Sequence, residues 1–230
     1  MLLKGFFRTQ SSNPDWPTEE WTLIDQVTTP GSYSKTLGFG KYKIELSGGG
    51  GSGGAAAGAD RDSSDNYGRN GSAGKLFISI IEVSVGTTRT ISGIVASGGG
   101  AARARGGEDE PADFTAGSAG TGATNGTKGT GEKHTGGGIG VTNAAVGGSG
   151  GGSTSAVGIG TAAGGAGGNA HAEGNHSSNG HGGAGASGTN QGDGASGGVG
   201  RFVRNGQATS GAGSNGWVKI YRSTTYPEPI

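Results

Sequence analysis

Residues 181–200 read HGGAGASGTNQGDGASGGVG, and the fold depends on how this stretch is read. It contains GAGASG, a literal G-x-G-x-x-G. A dinucleotide loop of that pattern needs a strand before it, a helix after it and an acidic residue about twenty positions on. NHSSNGHG precedes it, TNQGDG follows it, and residues 202–208 are FVRNGQA, so none of the three is present. A flexible linker is the second reading, since Gly/Ser tracts are usually coil. The third rests on phase. Gly182, Gly185, Gly188, Gly194, Gly197 and Gly200 keep one period of three, broken only at Gln191. Gly117, Gly120, Gly126 and Gly129 do the same, with the break at Ala123.

A three-residue glycine period belongs to an extended left-handed helix with three residues per turn. Collagen is excluded, because there is no proline between Pro111 and Pro227 and the triplet is discontinuous. The remaining form is a bundle of short polyglycine-II helices. Without a side chain at every third position, neighbouring backbones come close enough to hydrogen-bond, with Cα–H···O contacts as a smaller term. Glycine loses the most entropy on ordering, so dense bonding between segments has to offset it. The polar interruptions TNGTKG (124–129), GEKHTG (131–136), NAHAEGNHSSNGH (169–181) and TNQGD (189–193) are then expected as turns or loops at the bundle ends.

Composition supports an unusual core. The chain has 230 residues, 57 of them glycine, and only 30% are hydrophobic. Between Phe114 and Gly216 the apolar residues larger than alanine are Ile139, Val141, Val146, Val157, Ile159, Val199, Phe202 and Val203. So little carbon does not offset ordering entropy in the usual way. Net charge is zero, and Arg103 and Arg105 are followed by Glu108, Asp109 and Glu110, so no basic footprint for nucleic acid is expected. With no cysteine there is no disulfide or thiolate metal site. No apolar run is long enough for membrane insertion by a helix, and MLLKGFF lacks the features of an export signal.

Strand signals bracket the glycine-rich body. LLKGFFR, EWTLIDQV and SYSKTLGFGKYKIEL are punctuated by NPDWP and TTPGS, and in GKYKIELS the residues Tyr42, Ile44 and Leu46 alternate with Lys41, Lys43 and Glu45. The expected organisation is an N-terminal β module at 1–50, a glycine-rich loop plus a second β-hairpin at 51–97, a polyglycine-II body with polar loops at 98–216, and a closing strand and tail at 217–230. The expected fold class is mostly irregular and β, with small β-strand modules around the polyglycine-II bundle. Trp16, Trp21, Phe39, Tyr42 and Trp217 are expected as β-module core.

Candidate binding residues lie in the polar stretches. DRDSSDNYGRNGS (60–72) lacks the Asp/Asn alternation and terminal Glu of a calcium loop and reads as a polar loop presenting Tyr67 and Arg69. EDEPAD followed by Phe114 reads as a second loop, and RFVRN offers Phe202. His171, His176 and His181 are spaced by five, which suits neither helix nor strand presentation of metal ligands, so they join His134 as exposed turn or recognition residues. No nucleophile elbow or paired-carboxylate context is present, so neither catalysis nor a cofactor is expected.

Three stretches carry a resemblance: PGSYSKTLGFGKYKIELSGGGGSGG (30–54), VSVGTTRTISGIVASGGG (83–100) and GWVKIYR (216–222). In layout they resemble the entry strand pair, second strand pair and closing strand of glycine-rich bacteriophage tail-fibre and distal adhesin proteins. The resemblance covers roughly residues 20–222. It implies a rigid polyglycine-II scaffold whose tip loops bind a protein or glycan receptor on the bacterial surface. It also implies contacts with other tail-fibre subunits in an oligomer or larger assembly, and a place on the virion tail, outside the host cell. Two features depart from the family: its tip loops are often rich in aromatics, and residues 1–20 show no recognisable fibre-attachment region. A structural subunit of an extracellular filament or bacterial surface assembly is the alternative. An ice-binding protein is a third reading, one that would call for a regular threonine array.

Overall fold

The computed structural model describes residues 19–58, 66–135, 141–173 and 178–226. The described residues contain strands and no helix. In chain order the strands are β1 (Trp21–Val27), β2 (Gly31–Leu37), β3 (Gly40–Ser47), β4 (Ala55–Gly58), β5 (Tyr67–Gly68) and β6 (Leu76–Val83). There follow β7 (Arg89–Val95), β8 (Arg103–Glu108), β9 (Asp113–Thr115), β10 (Gly131–Thr135), β11 (Val141–Val146) and β12 (Thr154–Ala156). The last six are β13 (Gly160–Ala162), β14 (Ala170–Ala172), β15 (Ser178–Gly180), β16 (Arg201–Arg204), β17 (Gly206–Thr209) and β18 (Trp217–Ser223).

One end is a β-sandwich of two four-stranded sheets, β1-β18-β3-β6 and β13-β12-β7-β2. Alternation produces it. Tyr42, Ile44 and Leu46 point inward from β3 and are buried, while Lys41, Lys43 and Glu45 take the outer face. They meet Leu37, Ile81, Ile91, Val95, Val218 and Ile220 in the largest apolar cluster, where each full burial of a large side chain contributes about 1.5–3 kcal/mol. β18 lies between β1 and β3, antiparallel to both, so the two described ends of the chain leave from this end. Across the sandwich the Tyr33 hydroxyl donates to the Ser155 carbonyl at 3.0 Å, and burial pushes its pKa up to about 12.

A raised phenol pKa favours the neutral, folded form. Its contribution is complete below pH 10 and is lost as pH rises through 12. Tyr221, pushed up by burial and by its hydrogen bond to Glu45, acts in the same direction. The thermal midpoint should therefore fall between pH 10 and 12, and Tyr33→Phe should reduce that fall relative to the parent. Melting curves at pH 9 and 11.5 check this.

The other end is built from alanine. A seven-stranded sheet runs β16-β4-β11-β8-β17, with β10 on β11 and β9 on β8, and a three-stranded sheet β15-β14-β5 packs against it. Ala55, Ala56, Ala57, Ala104, Ala144, Ala145, Ala172 and Ala208 are fully or almost fully buried. Consecutive buried alanines in β4 mean that both sheet faces are covered, which removes the alternation of a half-exposed strand. The stretch 98–216 is therefore richer in strand than its sequence pattern suggests: GEKHTG contains β10, and NAHAEGNHSSNGH contains β14 and β15.

Between the two ends run the glycine segments, and their hydrogen bonds follow the period of three. In run 48–54, the N–H groups of Gly48, Gly51 and Gly54 donate to the carbonyls of Lys75, Ser72 and Arg69. Those of Gly49 and Ser52 donate to Gly152 and Ser149, and those of Gly50 and Gly53 to Ser214 and Gly211. The same run accepts from Gly99, from Gly165 and Gly168, and from Gly198 and Arg201. It is thus surrounded by runs 69–75, 147–153, 210–216, 97–102, 163–169 and 194–200. Run 147–153 is surrounded likewise by 48–54, 97–102, 116–121, 124–130, 163–169 and 182–188. Both central runs are buried along their whole length.

Space, rather than backbone conformation, demands glycine here. None of Gly48–Gly51, Gly53 or Gly54 has a positive φ. A β-carbon on Gly48, Gly51 or Gly54 would sit 2.0, 2.0 or 2.5 Å from the carbonyl oxygens of Ala163, Ala166 and Asn169. On Gly50 or Gly53 it would meet those of Ser196 and Val199, at 2.1 and 2.2 Å. Three-directional bonding also lets a chain change partners. Residues 40–47 pair as β3 with β18 and β6, whereas residues 55–58 pair as β4 with β11 and β16. A strand bonds to two sides only, and the glycine run between β3 and β4 turns the bonding direction.

The breaks in glycine phase are the turns. Ala123 lies in the bend where run 116–121 folds back onto 124–130. Gln191 lies in the turn between 182–188 and 194–200, its side-chain oxygen accepting from the Ile78 N–H. TNGTKG, expected as a turn or loop, is instead part of run 124–130, where the carbonyls of Thr124, Thr127 and Thr130 accept from Ser153, Gly150 and Gly147. Its threonines face solvent, and Gly129 takes a buried position.

Candidate binding surface at the loop end

Strands β4, β10 and β14 end and β11 and β15 begin at the side away from the described chain termini, where residues 109–112 link β8 to β9 and Asn205 links β16 to β17. Asn205 adopts φ 47° in the link from β16 to β17, and its side-chain oxygen accepts from the Glu108 N–H at 3.1 Å. Asparagine tolerates that left-handed geometry better than most residues.

The sequence-derived candidates within the described residues gather at this end, on strands or beside them rather than in the loops. His176 lies outside the described residues. Tyr67 is on β5, Phe114 on β9, His134 on β10, His171 on β14 and Phe202 on β16, while Arg69 follows β5 and His181 follows β15. Phe114 and Phe202 are half-buried. Phe114 packs on the cluster containing Ala104 and Val146, with its ring where a β-carbon on Gly131 would be, and Phe202 packs on the cluster of Ala56, Ala145, Ala170 and Ala172. His134 stands opposite Asn143 in the β10–β11 pairing. His181 exchanges backbone hydrogen bonds with Thr130, and its side chain is exposed. Among the described residues no group of His, Asp and Glu is placed to hold a metal ion.

Tyr67, Arg69 and His171 are brought together. Tyr67 pairs in register with His171, and His171 with Asn179, so the three side chains share the outward face of β5, β14 and β15. The Tyr67 and His171 rings are 5.9 Å apart between centroids, and the Arg69 guanidinium sits 4.6 Å from the Tyr67 centroid. His171 Nδ1 and Asn179 Oδ1 are 2.8 Å apart, and the Asn179 N–H donates to Glu132 Oε2 at 3.0 Å. Beneath the row Ala170, Ala172 and Ser178 are buried. Sequence reasoning missed Asn179 and Glu132. The even spacing of the histidines does not reveal the hairpin register, which places Asn179 rather than another histidine beside His171.

The ends differ in surface chemistry. The loop end exposes Arg69, Arg103, Glu108, Asp109, Asp113, Glu132, Lys133, Arg201 and Arg204, with an Arg105–Glu110 ion pair at 2.5 Å. Among the described residues the exposed large hydrophobic side chains lie elsewhere: Leu23, Ile24, Ile78, Ile80, Val85 and Val157 at the sandwich end, and Val199 along a glycine run. A cavity of about 350 Å³ also opens at the sandwich end, lined by Thr22, Ile24, Arg222, Ser223, Thr224 and Tyr226. No family model matches the chain and no curated protein does, so a functional reading rests on this fold and on the chemistry of these residues.

Proposed function

We propose that the chain is a phage tail-fibre or tail-tip receptor-binding protein, in which a rigid bundle of polyglycine-II helices presents a polar surface at one end. The three-residue hydrogen-bond period and the six surrounding runs of each central segment support the polyglycine-II part. The observation that carries the functional part is the division of labour between the ends. The described termini, an outer sheet face with exposed Leu23, Ile78 and Ile80, and a cavity lie at one end, and the candidate residues, on or beside strands with polar neighbours, lie at the other. Loops on a rigid scaffold are suited to recognition. On this reading the protein acts by binding a bacterial surface receptor, without catalysis or cofactor, from the outer part of a virion tail.

A filament or surface-assembly subunit is the second reading. Ile78 and Ile80, exposed on β6, and Leu23 on the same outer sheet face favour contacts between subunits. Labelled protein incubated with a panel of bacterial strains separates the two. Saturable adsorption to particular strains by a discrete species supports receptor binding. Concentration-dependent fibres in electron micrographs, with adsorption to no strain, would overturn it in favour of the filament.

A further inference from the structure

Resting on the receptor-binding reading, we propose that the row of Tyr67, His171 and Asn179, flanked by Arg69 and Glu132, binds a surface polysaccharide. The row crosses three strands, whose backbones lie about 4.8 Å apart, and the Tyr67 and His171 rings stand 5.9 Å from one another. Several of its polar groups make no hydrogen bond among the described residues: the Tyr67 hydroxyl, the Arg69 guanidinium, His171 Nε2, the Asn179 amide nitrogen and Glu132 Oε1. They comprise donors, an acceptor and groups able to serve as either, held side by side on one partly exposed face whose flanking Arg69 and Glu132 are exposed. Sugar hydroxyls donate and accept at once, and they are complemented by such a mixture. Arg69 and Glu132 add charge-assisted bonds, which are the stronger kind.

The positions are also pre-set. Arg69 over Tyr67, and His171 against Asn179, hold the side chains before any ligand arrives, so less ordering entropy is spent on binding.

A protein receptor fits this surface less well. Protein interfaces depend on a few apolar or aromatic anchors that become fully desolvated at the centre of the contact. Among the described residues of this end no large hydrophobic side chain is exposed, and Phe114 and Phe202 are engaged with the alanine clusters. A wet, polar contact with bridging waters suits a glycan and costs little affinity.

The test begins with a strain that the 230-residue chain adsorbs to, measured by flow cytometry. Periodate treatment of the cells cleaves vicinal diols and should lower adsorption at least tenfold, while proteinase K should leave it unchanged. Lipopolysaccharide and capsular polysaccharide extracted from that strain, added separately as competitors, identify which source carries the glycan. Tyr67→Phe and Asn179→Ala should each weaken adsorption about tenfold with thermal midpoints unchanged, whereas Ser34→Ala, at the opposite end, should adsorb like the parent. Loss of adsorption after proteinase K overturns the glycan assignment and leaves receptor binding standing. Full adsorption by both site variants overturns the placement of the site. Adsorption to no strain removes the receptor-binding reading and this inference with it.

Discussion

Gly51→Ala is expected to destabilise the protein by about 3 kcal/mol or more, the upper range for overpacking a dense interior. The added carbon would lie 2.0 Å from the Ala166 carbonyl oxygen and 2.3 Å from its carbon. Both are backbone atoms of a run bonded on several sides, so the clash is not relieved by rotating a side chain. Opening the contact would pull on the bond from Gly51 to Ser72 and the bond that Gly51 accepts from Gly198. For a chain of this length 3 kcal/mol corresponds to a fall of about 6–12 °C in thermal midpoint. Gly38→Ala is the matched control: no atom lies within 4 Å of its β-carbon position and its φ is not positive. Its effect should be small, or stabilising by up to about 1 kcal/mol through the unfolded chain. Differential scanning calorimetry of the two variants reads the contrast, and equal midpoints would mean that the glycines are not required by close packing.

The second large effect is expected from a hydroxyl. Ser149 lies in the central run 147–153 and is completely buried. Its Oγ donates to the Gly117 carbonyl at 2.7 Å and accepts from the Gly129 N–H at 3.2 Å, tying two outer runs to the centre. Ser149→Ala keeps the β-carbon, for which room exists, and leaves a buried donor and a buried acceptor without this partner. Each unsatisfied group costs about 1–3 kcal/mol, so a loss of about 2–4 kcal/mol is expected after some relaxation. Ser187, on an outer run and exposed, should tolerate the same change within about 0.5 kcal/mol. Denaturant titration of both variants checks the difference, and a neutral Ser149→Ala would show that these bonds contribute little.

The sandwich was legible because each of its main strands has one wet face. Tyr42, Ile44 and Leu46 differ from their neighbours in polarity, and that difference is the signal of a half-buried strand. The glycine runs were legible through phase, and even the breaks at Ala123 and Gln191 carried information, since both mark turns. The alanine strands were not. Covered on both faces in thin layers, Ala55–Ala57 and Ala144–Ala145 have no alternation, and alanine has little strand propensity to compensate. TNGTKG has the composition of a loop because its threonines are polar, whereas they are the outward third of a run. At the loop end, residue type pointed to Tyr67, Arg69 and His171 separately. Their meeting depends on the register of β5, β14 and β15, which joins residues about a hundred positions apart and leaves no local trace. Phe114 and Phe202 read as recognition aromatics, and nothing in their flanking sequence shows the alanine clusters on which they also pack.

Native-state hydrogen exchange tests the central claim, that glycine runs form the bonded interior of this protein. In runs 48–54 and 147–153 every residue donates a hydrogen bond. Protection should therefore be continuous through both runs, with exchange only through global unfolding. In the outer run 163–169, Ala166 is exposed and donates to no described residue, while Gly164, Gly165, Gly167 and Gly168 all donate. Its amide should exchange fast between protected neighbours, a one-in-three pattern that neither a coil nor a pleated strand produces. Coil-rate exchange throughout 48–54 and 147–153 in the native protein would contradict the account.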